Sequence, residues 1–291
     1  MHALARLQDG IYRIHQTLWS AWARRRYRED FDRVARFCLF VGYPRSGHSL
    51  VGALLNAHPN AVIAHELNAA QLIVDGCTRD ALYARILARA YWFNRRGNVA
   101  ETHHTYQVPN QWQGRFAALR VIGDKRGGAV TRCIAAHPQF LARVRALVAV
   151  PLRLVHVVRN PFDNISAISI WHRLSLEESV EFYFRHCQTT ARLGELCEPA
   201  EIITVHHEQM IHDPRSALSG LCAFLGLECD SGYLQDCCSV VFAAPSYTRR
   251  TVGWPAALVG EVERRTRQYR FLEGYGFEIA TDRPTSEQRA L

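Results

Sequence analysis

No apolar run in the 291-residue chain approaches the roughly eighteen residues of a membrane span, and the N-terminus MHALARLQDG has neither an uninterrupted apolar stretch nor a small-residue cleavage site. These absences lead us to expect a soluble, unprocessed, cytoplasmic chain. No C-x-x-C pair occurs either. The nine cysteines are odd in number and scattered from Cys38 to Cys238, which reads as reduced thiols and excludes a disulfide framework or a zinc ribbon. Repeats, low-complexity tracts and linkers are also missing, and 48% hydrophobic with 21% charged residues excludes a disordered or collagenous chain. Negative charge is in short supply: Lys and Arg total 35 against 27 Asp and Glu, a net charge of +8. That balance favours nucleotides, acidic sugars, nucleic acid or a membrane surface as partners. The basic-aromatic stripes that stack bases are not evident, so nucleic acid is not expected.

Short apolar runs stand at 37–41 (FCLFV), 119–122 (LRVI), 152–158 (LRLVHVV) and 202–205 (IITV), each followed by a helix-length segment. Strands separated by helices imply an α/β domain, a central parallel sheet covered by helices on both faces. Residues 4–22 place Leu4, Leu7, Ile11, Ile14, Leu18 and Trp22 on one helical face, followed by Arg24-Arg25-Arg26. We therefore divide the chain into an N-terminal amphipathic helical extension, 1–30, and a single domain, 31–291. The extension packs on its own domain, on a second copy in a homodimer, or on a membrane as a peripheral contact. The stretch 67–118 predicts a helix at 69–91 and irregular chain afterwards.

After the first strand comes Gly42-Tyr43-Pro44-Arg45-Ser46-Gly47-His48-Ser49. It has the spacing of the phosphate loop G-x-x-x-x-G-K-[ST], with His48 where the lysine belongs and the cation moved to Arg45. Such a loop turns backbone N–H groups around an anion and aims a helix N-terminus at it. An ATP or GTP enzyme wants the lysine, and a carboxylate at a strand end for Mg²⁺, for which Asp124 is the one candidate. The strand 152–158 ends instead in Arg159. Arginine at both places suggests a donor with several anionic groups and no metal. The pairs His103-His104 and His206-His207 invite a metal reading, but neighbours on a strand diverge and lack further ligands.

These residues resemble the sulfotransferases that use 3′-phosphoadenosine 5′-phosphosulfate (PAPS), particularly the tyrosylprotein sulfotransferases and bacterial relatives. Tyr43 to Ser49 is similar to that family's 5′-phosphosulfate loop, and Leu54-Leu55-Asn56-Ala57-His58-Pro59 to the helix end beyond it. Val157-Val158-Arg159-Asn160-Pro161 resembles its 3′-phosphate motif. His207-Glu208, Asp213-Pro214 and Phe224-Leu225-Gly226-Leu227 resemble a later segment, and Arg249-Arg250 with Trp254 the closing one. In order, the match covers about two-thirds of the chain.

The resemblance implies a P-loop-type fold and sulfuryl transfer from PAPS, as co-substrate and without metal, to a hydroxyl of a small metabolite, carbohydrate, lipid or tyrosine. It implies that Arg45, Ser46, Gly47, His48 and Ser49 hold the 5′-phosphosulfate and that Lys125 bridges to it. Arg159 would meet the 3′-phosphate, with Arg249 or Arg250 closing over it. The family's serine eight residues after that arginine is Ala167 here, with Ser166 one place earlier. Glu66, eight residues beyond His58, matches the catalytic glutamate of the tyrosylprotein branch. Gly127 stands where the cytosolic branch has its histidine base. His65 and His48 remain rival bases. Two other readings stay open: an ATP-dependent small-molecule kinase using Asp124, and a non-catalytic nucleotide or anion-binding module. The segment 67–118 is expected to shape the acceptor pocket, with its tryptophans as stacking platforms.

Overall fold

The structure, a computed structural model, describes residues 18–98 and 105–278. Residues 4–17 of the expected amphipathic helix and the pair His103-His104 lie outside the described residues. Chain 18–26 is helical and is followed by the short α1, Arg28–Asp32. Ala23 and Phe31 from these two helices are buried in the same core cluster as Phe37 and Leu39. The described part of the extension is thus packed onto the domain through that face.

Five strands form one sheet: β1 (Arg36–Gly42), β2 (Ala61–Ala64), β3 (Val121–Asp124), β4 (Leu152–Val158) and β5 (Ile202–His206). Their order is β2-β3-β1-β4-β5 and every neighbouring pair is parallel. β1 is the central strand. From Phe37 onward all its residues are buried, as expected when both faces are covered by helices. The four apolar runs all lie on strands, although β3 starts two residues later than LRVI and extends to Asp124. β2 was not expected from the sequence: its AVIA is four residues long and half alanine.

The helices between strands are α2 (His48–Asn56), α3 (Ala69–Val74), α4 (Arg79–Arg95), α5 (Gly127–Ala136) and α6 (Phe140–Val148). The helix expected at 69–91 is interrupted at 75–78, where Gly76 takes a left-handed φ of 80°, and then runs on to Arg95. After β4 come α7 (Pro161–His172) and α8 (Leu176–Ala191), and after β5 come α9 (His207–His212), α10 (Pro214–Phe224) and α11 (Ser231–Ser239). Proline at the first position of α7 and the Asn160 side chain accepting from Phe162 N–H start that helix immediately at the end of β4. Parallel strands bring all their carboxyl ends to one edge of the sheet. The loop after β1, Lys125 after β3, Arg159 after β4 and His207 after β5 therefore meet there, where ligands of open α/β sheets bind.

Candidate active site

The loop after β1 is held from several sides. Gly42 N–H donates to Thr131 Oγ1 at 2.8 Å, Asn164 Nδ2 to the Pro44 carbonyl at 2.7 Å, and Arg159 Nη1 to the Arg45 carbonyl at 3.2 Å. Gly47 caps α2 in a left-handed conformation (φ 105°), and a Cβ there would overlap the His207 ring, so only glycine fits. The N-terminus of this nine-residue helix brings partial positive charge to the concave side of the loop. Arg45, itself at φ 70°, stacks its guanidinium 4.2 Å from the ring centroid of Trp171 on α7. Nothing in the sequence pointed to Trp171.

Beside the loop, Lys125 Nζ donates to Ser49 Oγ at 2.7 Å and to Glu66 Oε1 at 2.9 Å. The structure thus brings together three of the predicted residues from three different segments. Glu66 reaches this place through a strained turn in which it and Asn68 both have left-handed φ, 58° and 68°. Asp124 fixes the turn: its buried carboxylate accepts from Leu67 N–H at 3.0 Å and Ala69 N–H at 2.8 Å. Partial burial pushes the Glu66 carboxyl up, but the Lys125 charge and its hydrogen bond pull harder and leave it at about 2. Glu66 is therefore ionised at neutral pH. Burial, then the Lys125 charge, lowers His65 to about 3, so its imidazole is neutral.

A small cavity opens next to this pair, lined by Gly52, Asn56, His65, Phe93, Tyr106 and Lys125 among others. Phe93 stacks flat on His65, with ring centroids 3.9 Å apart. Segment 67–118 supplies part of its wall, through Phe93, Asn98, Tyr106 and Gln113; Trp92 and Trp112 do not line it.

Three sequence assignments change. His48 is buried beneath the loop, with Nε2 3.1 Å from the Val41 carbonyl and its ring edge-on to Phe40. A Cβ at Gly127 would overlap that ring, which explains the glycine where a histidine base was sought. Burial, then Lys125, lowers His48 to about 4. Its ring is held against the backbone through Nε2 and is neutral at physiological pH. Arg249 is likewise sealed, its Nη1 2.6 Å from Asp163 Oδ2 while its N–H donates to Oδ1. Of the two tail arginines, Arg250 is the solvent-exposed one, beside the Tyr247 ring. Ser166 is buried and accepts from Trp254 Nε1 at 3.0 Å, which accounts for it without a phosphate.

Arg159 is buried between loop and tail. Besides the Arg45 carbonyl, it donates through Nη2 to the Ser246 carbonyl at 2.5 Å and Thr248 Oγ1 at 2.9 Å, while Nε is buried without a partner. The later motifs fasten the tail to the same edge: Glu208 accepts from Asn160 N–H and from the Tyr275 hydroxyl, and Asn160 Nδ2 donates to the Gly276 carbonyl. Among the described residues no group of three or more His, Cys, Asp or Glu is placed to hold a metal ion.

A family model described as the sulfotransferase family matches residues 39–231, from the middle of β1 into α11. The chain belongs to the sulfotransferase family. It is accordingly an enzyme of sulfuryl transfer. Solved sulfotransferase structures share the fold at low identity. The sulfotransferase domain from the curacin biosynthetic pathway has a TM-score of 0.51 at 16% identity, covering 81% of this chain and 98% of that one. The sulfotransferase domain of the Synechococcus PCC 7002 olefin synthase has 0.50 at 16%, covering 81% and 94%. Sulfotransferase STF9 from Mycobacterium avium has 0.50 at 12%, covering 90% and 82%. Comparison with curated protein sequences returned no match.

Proposed function

We propose that this sulfotransferase takes its sulfuryl group from PAPS, bound without metal, and passes it to a hydroxyl of a small metabolite, sugar or lipid. The observation that carries the reading is the Lys125 ammonium shared between Ser49 of the loop and Glu66. In-line transfer needs a cation at the developing negative charge and a base at the acceptor hydroxyl, and this arrangement supplies both within one hydrogen-bonded group. A carboxylate held at about 2 is a weak base. When the sulfate of the donor competes for Lys125, Glu66 loses the charge that depresses it and its basicity rises as the donor is engaged.

At the other end of the donor, a 3′-phosphate accepts the same N–H groups of Arg159 that the Ser246 carbonyl and Thr248 hydroxyl now take, and with more charge. Asp124 argues against the kinase alternative, since both its oxygens are occupied by backbone N–H groups. Calorimetry with adenosine 3′,5′-bisphosphate in EDTA, and transfer of label from radiolabelled PAPS to a mixture of hydroxyl metabolites, test the reading. Bisphosphate binding in EDTA with label transfer supports it. ATP binding that EDTA abolishes, without bisphosphate binding, replaces it with the kinase.

A further inference from the structure

The N-terminal stripe was expected to face its own domain, a second copy or a membrane. Among the described residues its last two positions stay largely at the surface. Leu18 and Trp22 are 65% and 50% exposed, whereas the helix packs through its other face, with Ala23 buried and Trp19 stacked on Tyr91 at 5.5 Å. Trp22 lies between Trp19 and Tyr27, 5.5 and 5.7 Å from their rings, and Tyr91 is also at the surface. Arginines border this apolar belt. Arg24, Arg25 and Arg26 are exposed, Arg26 lies over Tyr27, and on α4 Arg95 lies over Tyr91 with Arg96 exposed beside it. Acidic residues come next on α1, where Asp32 is engaged by Arg79 at 2.7 Å.

We propose that this belt, Leu18, Trp22 and Tyr91 within its arginine border, is a peripheral docking surface for an anionic lipid bilayer. Indole and phenol rings suit the headgroup boundary, where one part of the ring is apolar and another is wet. Arginines beside them meet anionic headgroups. A second copy is the less suitable occupant, because a twofold contact through the belt would bring the two arginine clusters together. No helix among the described residues is long and apolar enough to cross a membrane, so the contact is with the bilayer face.

The test is co-sedimentation of the full chain with vesicles of phosphatidylcholine alone and of phosphatidylcholine with phosphatidylglycerol as a third of the lipid. Binding is expected to the anionic vesicles only and to weaken with salt. Replacing Arg24, Arg25 and Arg26 together by Gln should lower the partition coefficient roughly a hundredfold, from three charges near the surface. Trp22→Glu should abolish binding. Both variants change exposed positions and should melt with the wild type, which separates lost binding from lost folding. Absence of binding, equal binding to both vesicles, or an unchanged partition in the arginine variant would overturn the proposal. So would a dimer in light scattering that Trp22→Glu dissociates while no vesicles are bound. None of these readouts depends on sulfuryl transfer.

Discussion

Two oppositely charged pairs flank the phosphate loop, one beyond β3 and one beyond β4, and they differ in access to water. Lys125–Glu66 is open on the carboxylate side only, Glu66 being 37% exposed and Lys125 4%, whereas Arg249–Asp163 is sealed at 1% and 2%. The contact distances are similar, 2.9 and 2.6 Å. The two pairs part ways when one partner is removed. A half-open carboxylate that loses its lysine is taken up by water or by a ligand, so this pair can trade partners during a reaction. A sealed carboxylate that loses its arginine stays desolvated, so that pair holds α7 to the tail.

The largest effect should therefore be on stability at the sealed pair. Arg249→Met leaves Asp163 buried and uncompensated and should cost about 3–5 kcal/mol, read from urea denaturation. Glu66→Gln in the same assay should cost only about 1 kcal/mol, because the amide oxygen still accepts from the buried Lys125 and the carboxylate side of the pair is open to water. Similar losses for both would erase the distinction.

Acid should sharpen it. Burial holds His48 at about 4 and His156 and His207 at about 3, while in the unfolded chain each returns to its ordinary value near 6.5. Below that value the unfolded state binds more protons, so stability should fall as pH drops from about 6.5, on the order of 1 kcal/mol per histidine by pH ~5.5. The folded pKa of Glu66 is depressed, so its contribution is present above the ordinary carboxylate range and is lost only as pH falls toward about 2. Urea midpoints that stay flat between neutral pH and pH ~5 would show that these rings are not buried neutral.

Gly127→Ala comes next. The added methyl meets the His48 ring, and the strain should cost about 1–3 kcal/mol in the same denaturation assay. The smallest effect is expected at Trp171. Trp171→Ala removes the ring under Arg45 and should weaken adenosine 3′,5′-bisphosphate binding by about 0.5–1 kcal/mol in calorimetry, with Trp171→Phe in between.

Legibility in the sequence divides along the same line between open and sealed. Four strands announced themselves because β1, β3, β4 and β5 carry β-branched and bulky apolar residues. β2 did not, because AVIA looks like part of any buried segment. Lys125, Ser49 and Glu66 could be named because each stands at a fixed offset from a local motif. The sealed contacts could not. Asp163 and Arg249 are 86 residues apart, and nothing local distinguishes an arginine that meets a phosphate from one that meets a buried carboxylate. Asp124 was considered for a metal, and only the fold shows it spent on the turn that carries Glu66. His48 was misplaced for a related reason. Its offset put it in the loop, but which side of the loop a ring occupies depends on the missing Cβ of Gly127, across the sheet edge.

Whether the open pair carries the chemistry is decided by Glu66→Gln, with turnover from PAPS and affinity for adenosine 3′,5′-bisphosphate read on the same preparation. Turnover should fall by roughly 10²–10⁴ while affinity and the urea midpoint hold. Lys125→Ala should instead lower turnover and affinity together, because it removes charge from both the bound donor and the transition state. Near-normal turnover by Glu66→Gln would contradict a role for the open pair and move the base to His65, the one remaining imidazole beside the cavity among the described residues.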